Sequence, residues 1–225
     1  MIRGVKVLTA GIAALAWAGS APAAQTGALA TTVGSGGFAL SAGLGYVERD
    51  VEDGVDAQAS NRRVTFRAQF GVMEKLDLYG LLGFADAEID DASFTGTLGG
   101  SVGVGARYAM LTFADNDTRL MLDLQGEFFR SEDGSKRVDH QGFHAATYLM
   151  KEFGAAGRTG YFYPYGGLRI SYSSYGGRGV DDFSSKDYIG VFGGADYFVN
   201  PNVFFSGEVH VFDETSLYLS VGYRF

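Results

Sequence analysis

Five apolar side chains at alternate positions, Leu217, Leu219, Val221, Tyr223 and Phe225, run to the last residue of this 225-residue chain. Alternate residues of an extended strand share a face, so the five form one apolar stripe. Ser216, Tyr218, Ser220, Gly222 and Arg224 form the opposite face, which is small, polar or charged. Such a strand needs an apolar medium on one side and a polar one on the other. The pattern recurs upstream with charges in mid-strand. Val64, Phe66, Ala68, Phe70 and Val72 alternate with Arg63, Thr65, Arg67, Gln69 and Gly71. After a tight turn at Met73-Glu74-Lys75, Leu76, Leu78, Gly80, Leu82 and Phe84 alternate with Asp77, Tyr79, Leu81, Gly83 and Ala85. A soluble strand over a dry core turns its charged side to water. A membrane cylinder turns that side to its lumen and the apolar side to lipid.

The same alternation predicts ten strands between Phe38 and Phe225. Acidic or charged loops are expected at 49–60, 86–93, 130–137 and 173–186, and short turns at 73–75, 113–117, 154–158, 200–202 and 213–215. Strand six, about 138–152, alternates least cleanly, so eight strands is the alternative. Pro164 inside strand seven demands a bulge or a poorly paired position. The expected fold is all-β: a closed antiparallel transmembrane β-barrel with both termini in the periplasm. No stretch after residue 23 is long and apolar enough for a membrane helix. Residues 1–23 read as a cleaved signal peptide, with Arg3 and Lys6, an apolar run from Val7 to Ala18, and a small-x-small site at Ala21-Pro22-Ala23. Residues 24–37 are small and Gly-rich, predicting a flexible periplasmic lead-in before the barrel at 38–225.

With these residues the terminal stretch resembles the C-terminal strand of bacterial outer-membrane β-barrels. In that superfamily, alternate apolar residues ending on an aromatic, here Leu217, Leu219, Val221, Tyr223 and Phe225, serve as the signal for the barrel-assembly machinery. The mature chain resembles the OmpA-transmembrane-domain and opacity-like types in pattern. The resemblance implies an outer-membrane location, contact with membrane lipid and lipopolysaccharide, and an extracellular ligand at the loops.

The register puts Arg63, Arg67, Arg107, Arg169 and Arg224 inside, with Asp77, Asp123, Glu127, Asp196 and Glu208. An unpaired buried charge costs several kcal/mol, so these predict a salt-bridge network filling a closed or narrow lumen. Inward glycines, Gly43, Gly45, Gly103 and Gly194 among them, leave room for the long side chains. The expected role is structural or surface-interacting and non-enzymatic, with a narrow porin second. A barrel-embedded hydrolase is third, carried by Glu208 and His210, two residues apart on one face. That pair resembles in part the lipid A deacylases and the omptin proteases. The deacylase His-x-Ser spacing is absent, however, and the chain is much shorter than omptins. His140 and His144 would lie about 13 Å apart along a strand, so no metal site is expected. No cofactor motif is present. Without Arg3 and Lys6 the chain has 16 basic against 26 acidic residues, a net charge of −10, which excludes nucleic acid as a partner. There is no cysteine.

Overall fold

A computed structural model gives the structure, describing residues 25–27, 32–53, 56–90, 93–113, 117–154 and 160–225. The expected signal peptide lies outside these residues, as do 114–116 and 155–159 of two expected turns. The described residues form fourteen strands and no helix. In chain order they are β1 (Phe38–Glu52), β2 (Asp56–Met73), β3 (Leu76–Ala85), β4 (Glu88–Ile89), β5 (Phe94–Thr95), β6 (Gly99–Phe113) and β7 (Thr118–Asp133). They continue as β8 (Lys136–Lys151), β9 (Phe153–Gly154), β10 (Tyr161–Arg178), β11 (Val180–Ser185), β12 (Ile189–Phe198), β13 (Val203–Val211) and β14 (Thr215–Arg224). Hydrogen bonding is ring-like. β1 pairs with β14 on one edge and β2 on the other, and the order between them runs β13, β12, β10, β8, β7, β6, β3. All of these pairings are antiparallel.

Fourteen strands replace the expected ten because segments read as loops are extended and paired. β4, β5, β9 and β11 are short additions of two to six residues. The expected loop at 49–60 is instead the end of β1 and the start of β2, paired from Glu48↔Ser60 to Glu52↔Asp56. Its outward residues, Glu48, Asp50, Asp56 and Gln58, are polar, while its inward residues, Val51, Ala57 and Ala59, are buried and apolar. The period of two survives, but its sense is inverted. The same inversion continues β7 and β8 through the expected 130–137 loop, with Phe129 and Val138 inward and Arg130 and Arg137 outward. Likewise β10 and β11 occupy most of the expected 173–186 loop. Pro164 sits where the neighbouring ladder is interrupted, since β9 pairs β10 as far as Phe162 and β8 pairs it only from Tyr165.

The interior has three levels. Nearest the turns, Met121, Tyr148, Met150, Tyr163, Phe198 and Phe204 belong to one apolar cluster. At the opposite end, between the long hairpins, Val51, Ile89, Phe94, Phe129, Tyr175 and Phe183 belong to another. Between them the inward side chains are charged or polar. The outer wall carries exposed apolar residues such as Leu44, Phe66, Leu82, Leu168 and Leu219.

Inward glycines seat the bulky inward side chains. A Cβ at Gly105 would fall within the Tyr79 ring, and one at Gly45 would press on the Tyr218 ring. A Cβ at Gly80, on the outer face, would meet nothing within 4 Å. The expected result is that Gly105→Ala destabilises the fold by about 1–3 kcal/mol through overpacking. Gly80→Ala should be neutral or stabilise by up to about 1 kcal/mol. Urea unfolding of the two variants in the same detergent checks the contrast.

Candidate functional site

The polar middle level is the candidate site, and most of the charges expected in the lumen meet there. Arg63, Arg67, Asp77, Arg107, Asp123, Glu127, Arg169, Asp196 and Glu208 are all buried, whereas Arg224 is half-buried near the turns. Arg63 pairs with Glu127 at 2.9 Å and Arg107 with Asp123 at 2.9 Å. Tyr79 donates its hydroxyl to Asp123 at 2.7 Å and lies under the Arg67 guanidinium, 4.4 Å from ring centre to Cζ. Arg169 has partners that the sequence reading did not place in the lumen. Its Nε donates to Asp213 at 2.7 Å, and its other nitrogen lies 2.8 Å from Glu214.

Asp213 and Glu214 reach that position because the chain turns at Phe212 with φ of 81°, throwing the Phe212 ring outward and the next two carboxylates in. The space for Asp213 exists because position 190 is glycine. Arg49, read as the first residue of a loop, joins the same carboxylates at 2.6 Å from Glu214 and 3.5 Å from Asp213. It also donates to Ser171 and Ser185. Arg49 keeps the inward register of Val47, a signal present in the sequence. A left-handed Phe212 has none, since a bulky residue rarely adopts that conformation.

The hydrolase candidates, Glu208 and His210, are in contact: Glu208 Oε1 lies 2.5 Å from His210 Nε2. The other ring nitrogen of His210 is 3.0 Å from Glu214 Oε1. Both nitrogens are therefore engaged, and the pair is about 1% exposed. His140 stacks on Tyr175 at 3.7 Å between ring centres with Phe129 edge-on, and His144 lies 3.6 Å from Asp123. Among the described residues, no group of three or more His, Cys, Asp or Glu is arranged to hold a metal ion.

A correction concerns residues 24–37. Part of this expected flexible lead-in lies inside the ring, while Ser35 and Gly36 are exposed. Gln25, Thr26, Thr32 and Val33 are buried. Thr26 N and Gly27 N donate to the two oxygens of Glu208 at 2.7 and 2.5 Å. Arg67 donates to the Gln25 carbonyl, and Arg107 to the carbonyls of Thr26 and Gly27 at 3.3 and 3.0 Å. The Gln25 side chain bridges Ser206 and Ser220 at 2.6 and 2.7 Å. Nearer the turns, Val33 N donates to Asp77 at 2.9 Å, and Arg224 donates to the Val33 carbonyl at 3.1 Å.

The physical reason is charge balance. Five arginines and seven carboxylates are buried in the described residues, so ion pairs alone leave carboxylates over. Among the described residues no lysine or arginine lies within ion-pair reach of Glu208, whose neighbour is His210, none of Asp77, and no carboxylate of Arg67. The segment brings amide N–H groups to the first two and a carbonyl to the third. A hydrogen bond to a charged group is worth about 1.5–3 kcal/mol. Small size, which marked these residues as a linker, is what lets them fit.

No protein-family model matches this chain, and no curated protein sequence matches it significantly. Among solved structures it is similar to the translocator domain of the autotransporter NalP from Neisseria meningitidis, with 12% identity and a TM-score of 0.45 over 85% of this chain and 89% of that one. It is similar to the outer membrane protein OprG from Pseudomonas aeruginosa, with 12% identity and a TM-score of 0.40 over 86% and 98%. The transport unit of the autotransporter AIDA-I from Escherichia coli gives 11% identity and a TM-score of 0.43 over 84% and 90%.

The Arg63–Glu127 pair yields a double-mutant test. Arg63→Met strands a buried carboxylate and is expected to destabilise by about 3–5 kcal/mol, whereas adding Glu127→Leu removes the stranded charge and recovers most of the loss. Equilibrium unfolding of both single variants and the double variant measures it.

Proposed function

We propose that this chain is a non-enzymatic bacterial outer-membrane β-barrel. Its ten long strands close the wall, its lumen is sealed, and its projecting hairpins carry a surface-interaction role. The observation that carries this is the inversion of pattern along the long hairpins. Below the level of Tyr46 and Tyr172 the outer face is apolar and the buried charges lie inside, above an apolar cluster near the turns; beyond it the outer face is polar and, past Arg49, the interior is largely apolar. A wall in hydrocarbon needs the first arrangement, and a hairpin standing in water needs the second. The eighteen residues of β2 extend roughly 60 Å, or about 42 Å of height at a 45° tilt, more than the ~30 Å hydrocarbon core. Tyr46 and Tyr172, with Tyr188 stacked on Tyr172 at 6.2 Å, suit the interface, where amphipathic rings settle.

The sealed lumen is supported by the apolar cluster between the hairpins and by the segment at 25–27. Beside Gln25, Arg67, Tyr218 and Ser220 the remaining space is about 20 Å³, room for about one water. A channel would need a continuous polar path, and the buried apolar level interrupts it. Catalysis by Glu208 and His210 would need an approach to them, and their burial opposes it. The outward hairpin surfaces, with Glu48, Asp50 and Asp56 on one and Arg130, Arg137 and Asp139 on another, are charged and rigidly paired. They suit reversible contact with another surface at the cell exterior.

Single cysteines test orientation and sealing together, since the chain has none. A membrane-impermeant maleimide on intact cells should label Ser135→Cys at a hairpin tip. It should reach Asn200→Cys, at a short turn, only after the outer membrane is permeabilised. The purified protein in planar bilayers should show no conductance steps. Labelling of both sites in intact cells, or steady channel currents, would contradict the proposal.

A further inference from the structure

We propose that the polar level of the lumen is a peptide-binding site, and that Gln25–Gly27 is its tethered ligand. The inference goes beyond the sealed-barrel reading and rests on it only for the side from which the segment enters. Two features separate a binding site from incidental packing. First, the wall addresses the backbone. Both amides at 26 and 27 end on Glu208 of β13, and the carbonyls of 25, 26 and 27 end on Arg67 of β2 and Arg107 of β6. β6 stands opposite β13 in the ring and β2 stands three strands from it, so the segment is held between separate parts of the wall. Two successive amides turned onto one carboxylate hold a bent main chain, and main-chain hydrogen bonds of this kind supply affinity.

Second, the site reads side-chain size. A Cβ at Gly27 would collide with the Glu208 carboxylate and the Tyr165 ring, so only glycine fits at the third position. At the first position the amide of Gln25 is read on both sides, by Ser206 and Ser220. The ligand is therefore a short bent peptide with glutamine, then any residue able to present its backbone, then glycine. Tethering places the ligand at an effective concentration of order millimolar, so an untethered copy competes poorly.

Residues 33–37 show the route in. They run along β2, β3 and β14, where Gly36 N bonds Gly71 O and Arg224 holds Val33. The aromatic cluster near the turns occupies the remaining strands of the wall. A peptide can enter along this path once the tethered one has left.

The test uses a fluorescent synthetic peptide with the sequence of residues 24–31, measured by anisotropy against the full-chain protein recovered from membranes in detergent. Gly27→Val expels the tethered segment and should bind the peptide saturably, at least ~10-fold more tightly than wild type does. A peptide carrying valine in place of its glycine should bind neither protein. Gln25→Ala, which loses the Ser206 and Ser220 contacts and keeps the backbone ones, should fall between. A Gly27→Val protein that keeps heat-modifiable gel mobility but fails to bind, or binds both peptides alike, overturns the inference and leaves the barrel reading intact. If Gly27→Val does not fold, Gln25→Ala decides: binding above wild type supports the site, and binding equal to wild type overturns it. A wild-type protein without heat-modifiable mobility overturns the barrel reading and this inference together.

Discussion

A strand in hydrocarbon has no water to complete its backbone hydrogen bonds, and each bond left open costs several kcal/mol. In the proposed membrane setting, that constraint accounts for the ring-like ladder of this chain, in which β1 is paired on both edges. It also accounts for the alternation of side chains, because a closed wall has two faces in two media. Arginine and aspartate in mid-strand then have one place to go, the interior. From there the remaining problem is electrostatic. Charges gathered inside a narrow cylinder must find partners across it.

The interior meets that demand in two ways. Wall-to-wall pairs such as Arg63–Glu127 and Arg107–Asp123 neutralise charge directly. Where the pairs run out, backbone dipoles take over: Gln25–Gly27 and Val33 supply amides to Glu208 and Asp77, and a carbonyl to Arg67. The segment and the wall are thus complementary in polarity as well as shape. The cluster of Arg49, Arg169, Asp213, Glu214 and His210 closes the polar level on the hairpin side, and apolar side chains cover it. A buried network of this kind fixes one arrangement of the wall, since a one-residue slip of any strand would carry its charges to the outer face.

Much of the wall could be read from residue spacing. Arg67 against Phe66 and Asp77 against Leu78 specify which face is which, and those residues do lie inside and outside accordingly. The missing parts have identifiable causes. The hairpin extensions were hidden because outward apolar residues were the criterion for a strand, and beyond Tyr46 the outward residues are Glu48, Asp50 and Glu52. Asp213 and Glu214 were hidden by the left-handed backbone at Phe212. Gln25–Gly27 were hidden because nothing local distinguishes a linker from a ligand; only the bonding capacity left on Glu208 and Arg67, far away in sequence, makes the difference. Long-range charge balance is a property of the folded ring, and a periodicity in sequence does not contain it.

In the proposed barrel one wall passes from hydrocarbon to water along a single strand. Nitroxide labels on single cysteines at the outward positions of β2, from Phe70 through Ala68, Phe66 and Val64 to Arg62, Ser60 and Gln58, measure that passage directly. In bilayers, collision with oxygen should dominate from Phe70 to Val64, and collision with a water-soluble nickel complex should dominate from Ser60 onward, with one crossover near Arg62. Nickel accessibility that is uniform along all seven positions would contradict the account.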